Sequence, residues 1–269
     1  MPCEALTTPT LLSQRERREK DRKSVFPCSF LFPSLPLGER GQGSEGFGGH
    51  IAEDSVIRGT AGIFRPVPTT LRFDNLRRRF GRLAVLNGVS GAVEPGGMLL
   101  VTGPNGSGKS TLLRCLCGLL APDSGTIEYQ EDGGRLDVAE RRRRVGLVSP
   151  DLAFYEELTV KENLDFFARL RRTGPQRGHA VLERLGLPLD RMAGALSSGM
   201  RQRLRWGWAL LHSPRLLLLD EPFQNFDRAG EQGARALLAE HLENGGLAVV
   251  ANPSSLDFDH AAEHLELGV

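Results

Sequence analysis

Lysine is scarce in this chain. Of its 34 basic residues four are lysines, against thirty arginines, and from Thr70 onward there are only Lys109 and Lys161. Acid and base nearly cancel, at 33 against 34, which gives no support to wholesale neutralisation of a nucleic-acid backbone. Cysteine is equally sparse: Cys3, Cys28, Cys115 and Cys117 make no disulfide framework in 269 residues. Cys115 and Cys117 flank Leu116 in an apolar stretch with no histidine nearby. That favours a buried, reduced pair over a metal site and suits a reducing compartment. No apolar run approaches the roughly 18 residues that cross a bilayer. The nearest, VFPCSFLFPSLPL over 25–37, follows the charged run RERREKDRK, in the order of a secretion signal. Pro27, Pro33 and Pro36 break any helix there and argue against export.

What is present divides in two. Residues 1–69 hold the charged run, the proline-broken patch and GERGQGSEGFGG (38–49), without sustained helix or strand period. They read as a disordered extension, an over-translated leader or a regulatory or membrane-touching tail. From residue 70 to 269 short apolar runs recur: MLLVTG (98–103), TIEYQ (126–130), VGLVS (145–149), LLLLD (216–220) and LAVVA (247–251). Each is bounded by turn or charged residues, as buried strands are. Helical patterns fall between them, over 109–119, 158–172, 198–211 and 227–242. The alternation predicts an α/β domain with a largely parallel sheet. The run RRRRV (141–145) reads as a solvated edge before a strand, with contact to anionic headgroups as the alternative.

One of the rare lysines sits in GPNGSGKST (103–111), which fits G-x-x-x-x-G-K-[ST] after an apolar strand and before a helical pattern. Gly103, Gly106 and Gly108 let the backbone of Pro104, Asn105, Ser107 and their neighbours curl so that N–H groups face phosphate oxygens. The helix start at Ser110 and Thr111 adds its positive end. Lys109 supplies a compact, mobile charge where an arginine fork would be bulkier, and Ser110 offers a hydroxyl to Mg²⁺. By residue frequency alone a glycine turn matches this pattern in about one chain in a hundred or fewer. LLLLDEP (216–222) supplies the other half of such a site. Asp220, ending a buried strand, is placed to hold hydrated Mg²⁺, and Glu221 to polarise the attacking water. A solvated acid after a strand is the plain alternative for Glu221.

LSSGMRQRLRWGWALLHSPRLLLLDEPFQNFD carries a resemblance: from about Leu71 to Leu267 the chain resembles the ATP-binding subunit of ABC transporters. The resemblance implies a P-loop ATPase fold with a mostly parallel core sheet, an antiparallel β subdomain and a helical subdomain at roughly 152–212. It implies ATP and Mg²⁺ as ligands and a head-to-tail homodimer or heterodimer. Ser197 and Gly199 of LSSGM would then cap the γ-phosphate of ATP bound to the partner. Phe80 would stack on adenine, and Asp227 of NFD would lie near the dimer interface. YEELTVKENLDFFARL (155–170) resembles the region that receives the membrane subunit. The resemblance also implies integral-membrane permease partners and a peripheral position on the inner face of the cell membrane, with no nucleic acid.

The chain departs from the family pattern at several places. Ser198 stands for the usual glycine and Met200 for a frequent glutamine. Pro150 or Asp151 occupies the place of the glutamine that touches Mg²⁺ and water. Asn252 and Pro253 stand where a histidine contacts the γ-phosphate, so ATP binding is expected intact and hydrolysis slowed. Asn252 offers a substitute hydrogen bond. A compact domain without an appended module resembles the haem-exporter type of cytochrome c maturation. The alternatives are an ABC ATPase without a transport role, as in translation or DNA repair, and a degenerate regulatory half of a heterodimeric cassette.

Overall fold

The computed structural model describes residues 69–254 and 262–268. The extension read over residues 1–69 lies outside the described residues except for Thr69, which is buried in the first strand. The antiparallel sheet has the order β2-β1-β4-β5, from β1 (Thr69–Phe80), β2 (Leu83–Val93), β4 (Ser124–Glu131) and β5 (Gly134–Arg135). In β1, Leu71 and Phe73 point inward while Arg72 and Asp74 face water, the period-2 alternation of a sheet with one wet face. TIEYQ belongs to this sheet rather than to the parallel one.

The second sheet is parallel throughout, in the order β6-β7-β8-β3-β9. Its strands are β3 (Met98–Thr102), β6 (Val145–Val148), β7 (Leu216–Asp220), β8 (Leu247–Ala251) and β9 (Ala262–Glu266). The first four are buried along their whole length, which is why they read as unbroken apolar runs. Among the described residues six α-helices accompany the sheets: α1 (Lys109–Leu116), α2 (Val138–Arg144), α3 (Val160–Arg171), α4 (Gln176–Arg184), α5 (Ser198–Leu210) and α6 (Arg228–Glu243). α1 stops short of the expected residue 119 because Gly118, at φ 80°, turns the chain out of the helix.

The arginine run is a correction. It forms the body of α2, opened by a reciprocal cap between Asp137 and Glu140. Arg141 is 6% exposed and lies beside Cys115 and Cys117, Arg142 donates to the Gly118 carbonyl at 2.8 and 2.6 Å, and Arg144 pairs with Glu131 at 2.9 Å. Burial lowers the Arg141 pKa, and it pushes the thiols of Cys115 and Cys117 up to about 11 and about 12. The pair is free and inert, as its apolar setting predicts.

α3, α4 and α5 form the helical layer. Asn163 of α3, fully buried, accepts from the Tyr155 N–H at 2.9 Å and donates to the carbonyls of Tyr155 and Thr159, at 3.0 and 2.9 Å. One amide thus satisfies a loop that has no ladder of its own. α4 and α5 cross closely at Gly178 and Gly207, where an added methyl on Gly207 would collide with the fully buried Leu182. In a helix alanine gains about 1 kcal/mol over glycine, whereas overpacking costs about 1–3 kcal/mol. Gly207→Ala is therefore expected to lower stability by about 1 kcal/mol, read as a lower urea midpoint at unchanged slope. A raised midpoint would show that the two helices separate freely.

Candidate functional site

β3 ends at the loop 103–111, and α1 leaves it. At Gly103, φ is 142°, and a side chain there would collide with the Leu267 carbonyl. At Gly108, φ is 100°, and a side chain would meet the Val85 carbonyl of β2. The loop is thus pressed between both sheets, in a conformation that glycine alone adopts cheaply. Pro104, Asn105 and Gly106 form its exposed crest, while Ser107, Lys109 and Thr111 are buried. The Lys109 ammonium folds back to donate to the carbonyls of Gly103, at 2.6 Å, and Pro104, at 2.9 Å. The Ser107 hydroxyl is buried with no hydrogen-bond partner. An orphaned donor and an ammonium held by neutral carbonyls, at the start of a helix, fit an anionic oxygen cluster.

Asp220 ends β7 and is 5% exposed. Burial pushes its carboxyl above the usual range, against the pull of the hydrogen bond from Ser110. The neighbouring charges of Glu221 and Asp151 raise it further, and Arg114 lowers it. A buried carboxylate steadied mainly by one hydroxyl fits a divalent cation. Among the described residues no three acidic, histidine or cysteine groups cluster for a metal. A hydroxyl and a carboxylate lining one cavity, Ser110 and Asp220, are an oxygen donor set of the kind that suits Mg²⁺, which takes few protein ligands and completes its shell with phosphate oxygens and water.

Glu221 follows in the left-handed region, at φ 46°, with its N–H on the Ala251 carbonyl at 2.9 Å. α5 fixes this turn. Gln202 donates to the carbonyls of Glu221, at 3.2 Å, and Pro222, at 2.9 Å, and the Trp206 indole donates to Pro222 at 3.0 Å. Sequence reasoning missed both residues. The available signal was Trp206 itself, since a buried indole N–H needs an acceptor.

Phe80 is 48% exposed, with the Arg78 guanidinium 5.0 Å above its ring. It pairs with Leu83 at the tip of the β1–β2 hairpin, and Val85 two residues on touches Gly108. The hairpin therefore carries a half-exposed aromatic ring, one face covered by Arg78, on the strand pair that borders the loop 103–111.

Ser197 caps α5, accepting from the Met200 N–H at 3.3 Å. Gly199 lies so close to the Asn225 carbonyl that a side chain would collide with it. Asp227 caps α6 through the Gly230 N–H at 2.9 Å and pairs with Arg203 at 2.6 Å. The Gly230 hydrogen bond, and then Arg203, hold its carboxyl below the usual range. Ser197, Gly199 and Asp227 thus form a second cluster, on α5 and the turn that precedes α6.

The structure distinguishes Pro150 from Asp151. Pro150 is exposed, its carbonyl accepting from Arg205 at 2.8 Å. Asp151 pairs with Arg114 and, with Ser110, Ser149 and Asp220, lines a cavity of about 30 Å³. The Asn252 amide donates to the Ser254 carbonyl at 2.8 Å, within its own turn.

A family model described as ABC transporter matches residues 86–224, more than half of the chain. The chain is 37% identical over 189 residues to the phosphonates import ATP-binding protein PhnC 1 of Rhodopseudomonas palustris (strain BisB18), covering 63% of this chain and 69% of that protein. It is 36% identical to the cytochrome c biogenesis ATP-binding export protein CcmA 2 of Cupriavidus metallidurans, covering 68% of this chain and 89% of the relative. The dimeric structure of MJ0796, a bacterial ABC transporter cassette, superposes with a TM-score of 0.60 at 25% identity, over 68% of this chain and 88% of that one. The two sheets, the helical layer and these matches agree: the chain belongs to the ABC transporter family, as an ATP-binding domain.

Proposed function

We propose that the chain binds and hydrolyses Mg·ATP between the loop 103–111 and the acids at 220–221, to drive transport through separate membrane permease subunits. The observation that carries this reading is that Ser110, at the start of α1, and the buried carboxylate of Asp220 line one small cavity beside the loop 103–111. In this reading Lys109 exchanges the carbonyls of Gly103 and Pro104 for phosphate oxygens, and backbone N–H groups from Asn105 to Thr111 line the rest of the triphosphate. Phe80 stacks on the base. Ser110 and Asp220 hold Mg²⁺, which when bound screens the phosphate charge and polarises the bond to be broken. Glu221 takes a proton from the attacking water, in a turn held rigid by Gln202 and Trp206. Ser197 and Gly199 present a helix N-terminus to nucleotide on a second copy or a related cassette, with Asp227 beside that interface. Residues 70–269 constitute this domain, with the helical layer at roughly 152–212.

Haem export in cytochrome c maturation is supported by the match to CcmA 2, which extends over 89% of that relative, while import proteins match at similar identity. In this reading integral membrane permease subunits form the permeation path, and the chain sits peripherally on the inner face of the cell membrane; among the described residues no helix is long and apolar enough to cross a membrane.

Lys109→Ala is expected to abolish tight Mg·ATP binding by calorimetry. Glu221→Gln should keep that binding, lower turnover by about 10²–10⁴-fold and trap a closed dimer on sizing. Undiminished turnover would assign the base elsewhere. Asp220→Asn should lose magnesium-dependent binding yet raise the melting temperature of the nucleotide-free protein. Each kcal/mol of relieved charge burial is worth about 2–4 °C at this size. The sign follows from the raised pKa. The folded chain holds this proton more tightly than the unfolded chain, so stability falls as pH rises between the two pKa values. A lowered melting temperature in Asp220→Asn would contradict the burial cost.

A further inference from the structure

At the N-terminal ends of β7 and β8, on the edge of the parallel sheet opposite the loop 103–111, a cleft of about 570 Å³ opens between α4 and α6. Its volume falls within the range of small-molecule sites, about 300–1,000 Å³. Three guanidinium groups reach it: Arg177 and Arg184 from α4, and Arg215 just before β7. The one carboxylate is Glu240 of α6, paired with Arg184 at 2.7 Å. His241 adds no charge, because burial holds its imidazole down at about 4, with its Nε2 on the Leu247 carbonyl at 3.0 Å. The cleft therefore carries two positive charges in excess over a floor that includes Val181 and Leu237.

Arg177 is the informative member. It is exposed at the cleft and makes no hydrogen bond or ion pair among the described residues. Its charge nevertheless reaches inward, adding to the burial that lowers both His212 and His241. Ser213 lines the same cleft in the left-handed region, at φ 52°, a conformation that costs a non-glycine residue about 1 kcal/mol or more. An unpaired guanidinium beside a strained turn, at a cleft with net charge and an apolar floor, is arranged for an oxyanion attached to an apolar body.

We propose that this cleft binds a small phosphomonoester, whose dianionic head meets the arginines and whose apolar body lies on Val181 and Leu237. Two negative charges match the excess of two, and a guanidinium fork takes two oxygens of one phosphate. A ligand held by α4 on one side and α6 on the other ties the helical layer to the parallel-sheet layer. The site is separate in chemistry from the loop 103–111, which would hold phosphate by backbone N–H groups and Lys109.

The test is titration of phenyl phosphate into the full chain carrying Lys109→Ala, followed by calorimetry and by nuclear magnetic resonance shifts. Saturable binding is expected at a Kd of about 1 mM or tighter. Adding Arg177→Ala should weaken it at least about tenfold, as should raising the salt, while phenol alone should not bind. Arg177 makes no contact that folding needs, and an unchanged melting temperature checks this directly. Loss of all binding with Lys109→Ala alone would place the anion in the loop 103–111 and overturn the proposal. Indifference to Arg177→Ala, or phenol binding as well as phenyl phosphate, would overturn it too. Failure of the unsubstituted chain to bind Mg·ATP, with phenyl phosphate still bound in an Arg177-dependent way, would sink the nucleotide reading and leave this one standing.

Discussion

The approach of Ser110 to Asp220, which line one small cavity, is the joint on which the molecule turns. β3 and β7 are separated in the sheet by β8 alone, so their C-terminal ends stand about 10 Å apart. α1 starts in that gap, and its first turn carries a hydroxyl across to the carboxylate. The arrangement puts a charged group where burial opposes charge, with little beyond one hydroxyl to offset it. A fold that keeps such a group is arranged around something positive that arrives later. The pressed glycines of the loop, the orphaned Ser107 hydroxyl and the folded-back Lys109 are the corresponding preparations for something negative.

The departures from the family pattern are held in place by local bonds. Asp151 is tied to Arg114 of α1, and the Pro150 carbonyl is tied to Arg205 of α5. The segment between β6 and α3 is therefore strapped on one side to the helix that leaves the phosphate loop. On the other side it is strapped to the helix that fixes the turn after Asp220. Asn252, placed where the family has histidine, bonds within its own turn. Its amide faces the Ser254 carbonyl in the free protein, so a phosphate contact requires that bond to be given up.

Much of the parallel sheet was legible, because strands buried on both faces must be unbroken apolar runs, and MLLVT, VGLV, LLLLD and LAVVA are. The loop 103–111 was legible as a glycine turn between a strand and a helix because its glycines, lysine and hydroxyl are contiguous. The β1–β2 hairpin was harder. β2 is exposed or half-buried along most of its length, so its side chains carry little period. The helical character of α2 was not legible: its run RRRRV reads as a solvated edge before a strand, and VAERRRR carries no apolar stripe. Its real signal was the Asp137–Glu140 spacing of a reciprocal cap, and Thr159 with Glu162 marks the start of α3 in the same way. The buried indole of Trp206 signals from sequence that an acceptor is needed, but the acceptors of Trp206 and Gln202 are backbone carbonyls sixteen to twenty residues away that only the tertiary packing of α5 brings near.

α5 behaves as a lever with both ends engaged. Ser197 and Gly199 occupy one end, against the Asn225 carbonyl, and Trp206 grips Pro222 nine residues further along, about 14 Å at the rise of an α-helix. A rigid rod of that length transmits displacement rather than absorbing it. One continuous helix therefore joins the Ser197 end to the peptide beside Glu221, with no loop between them.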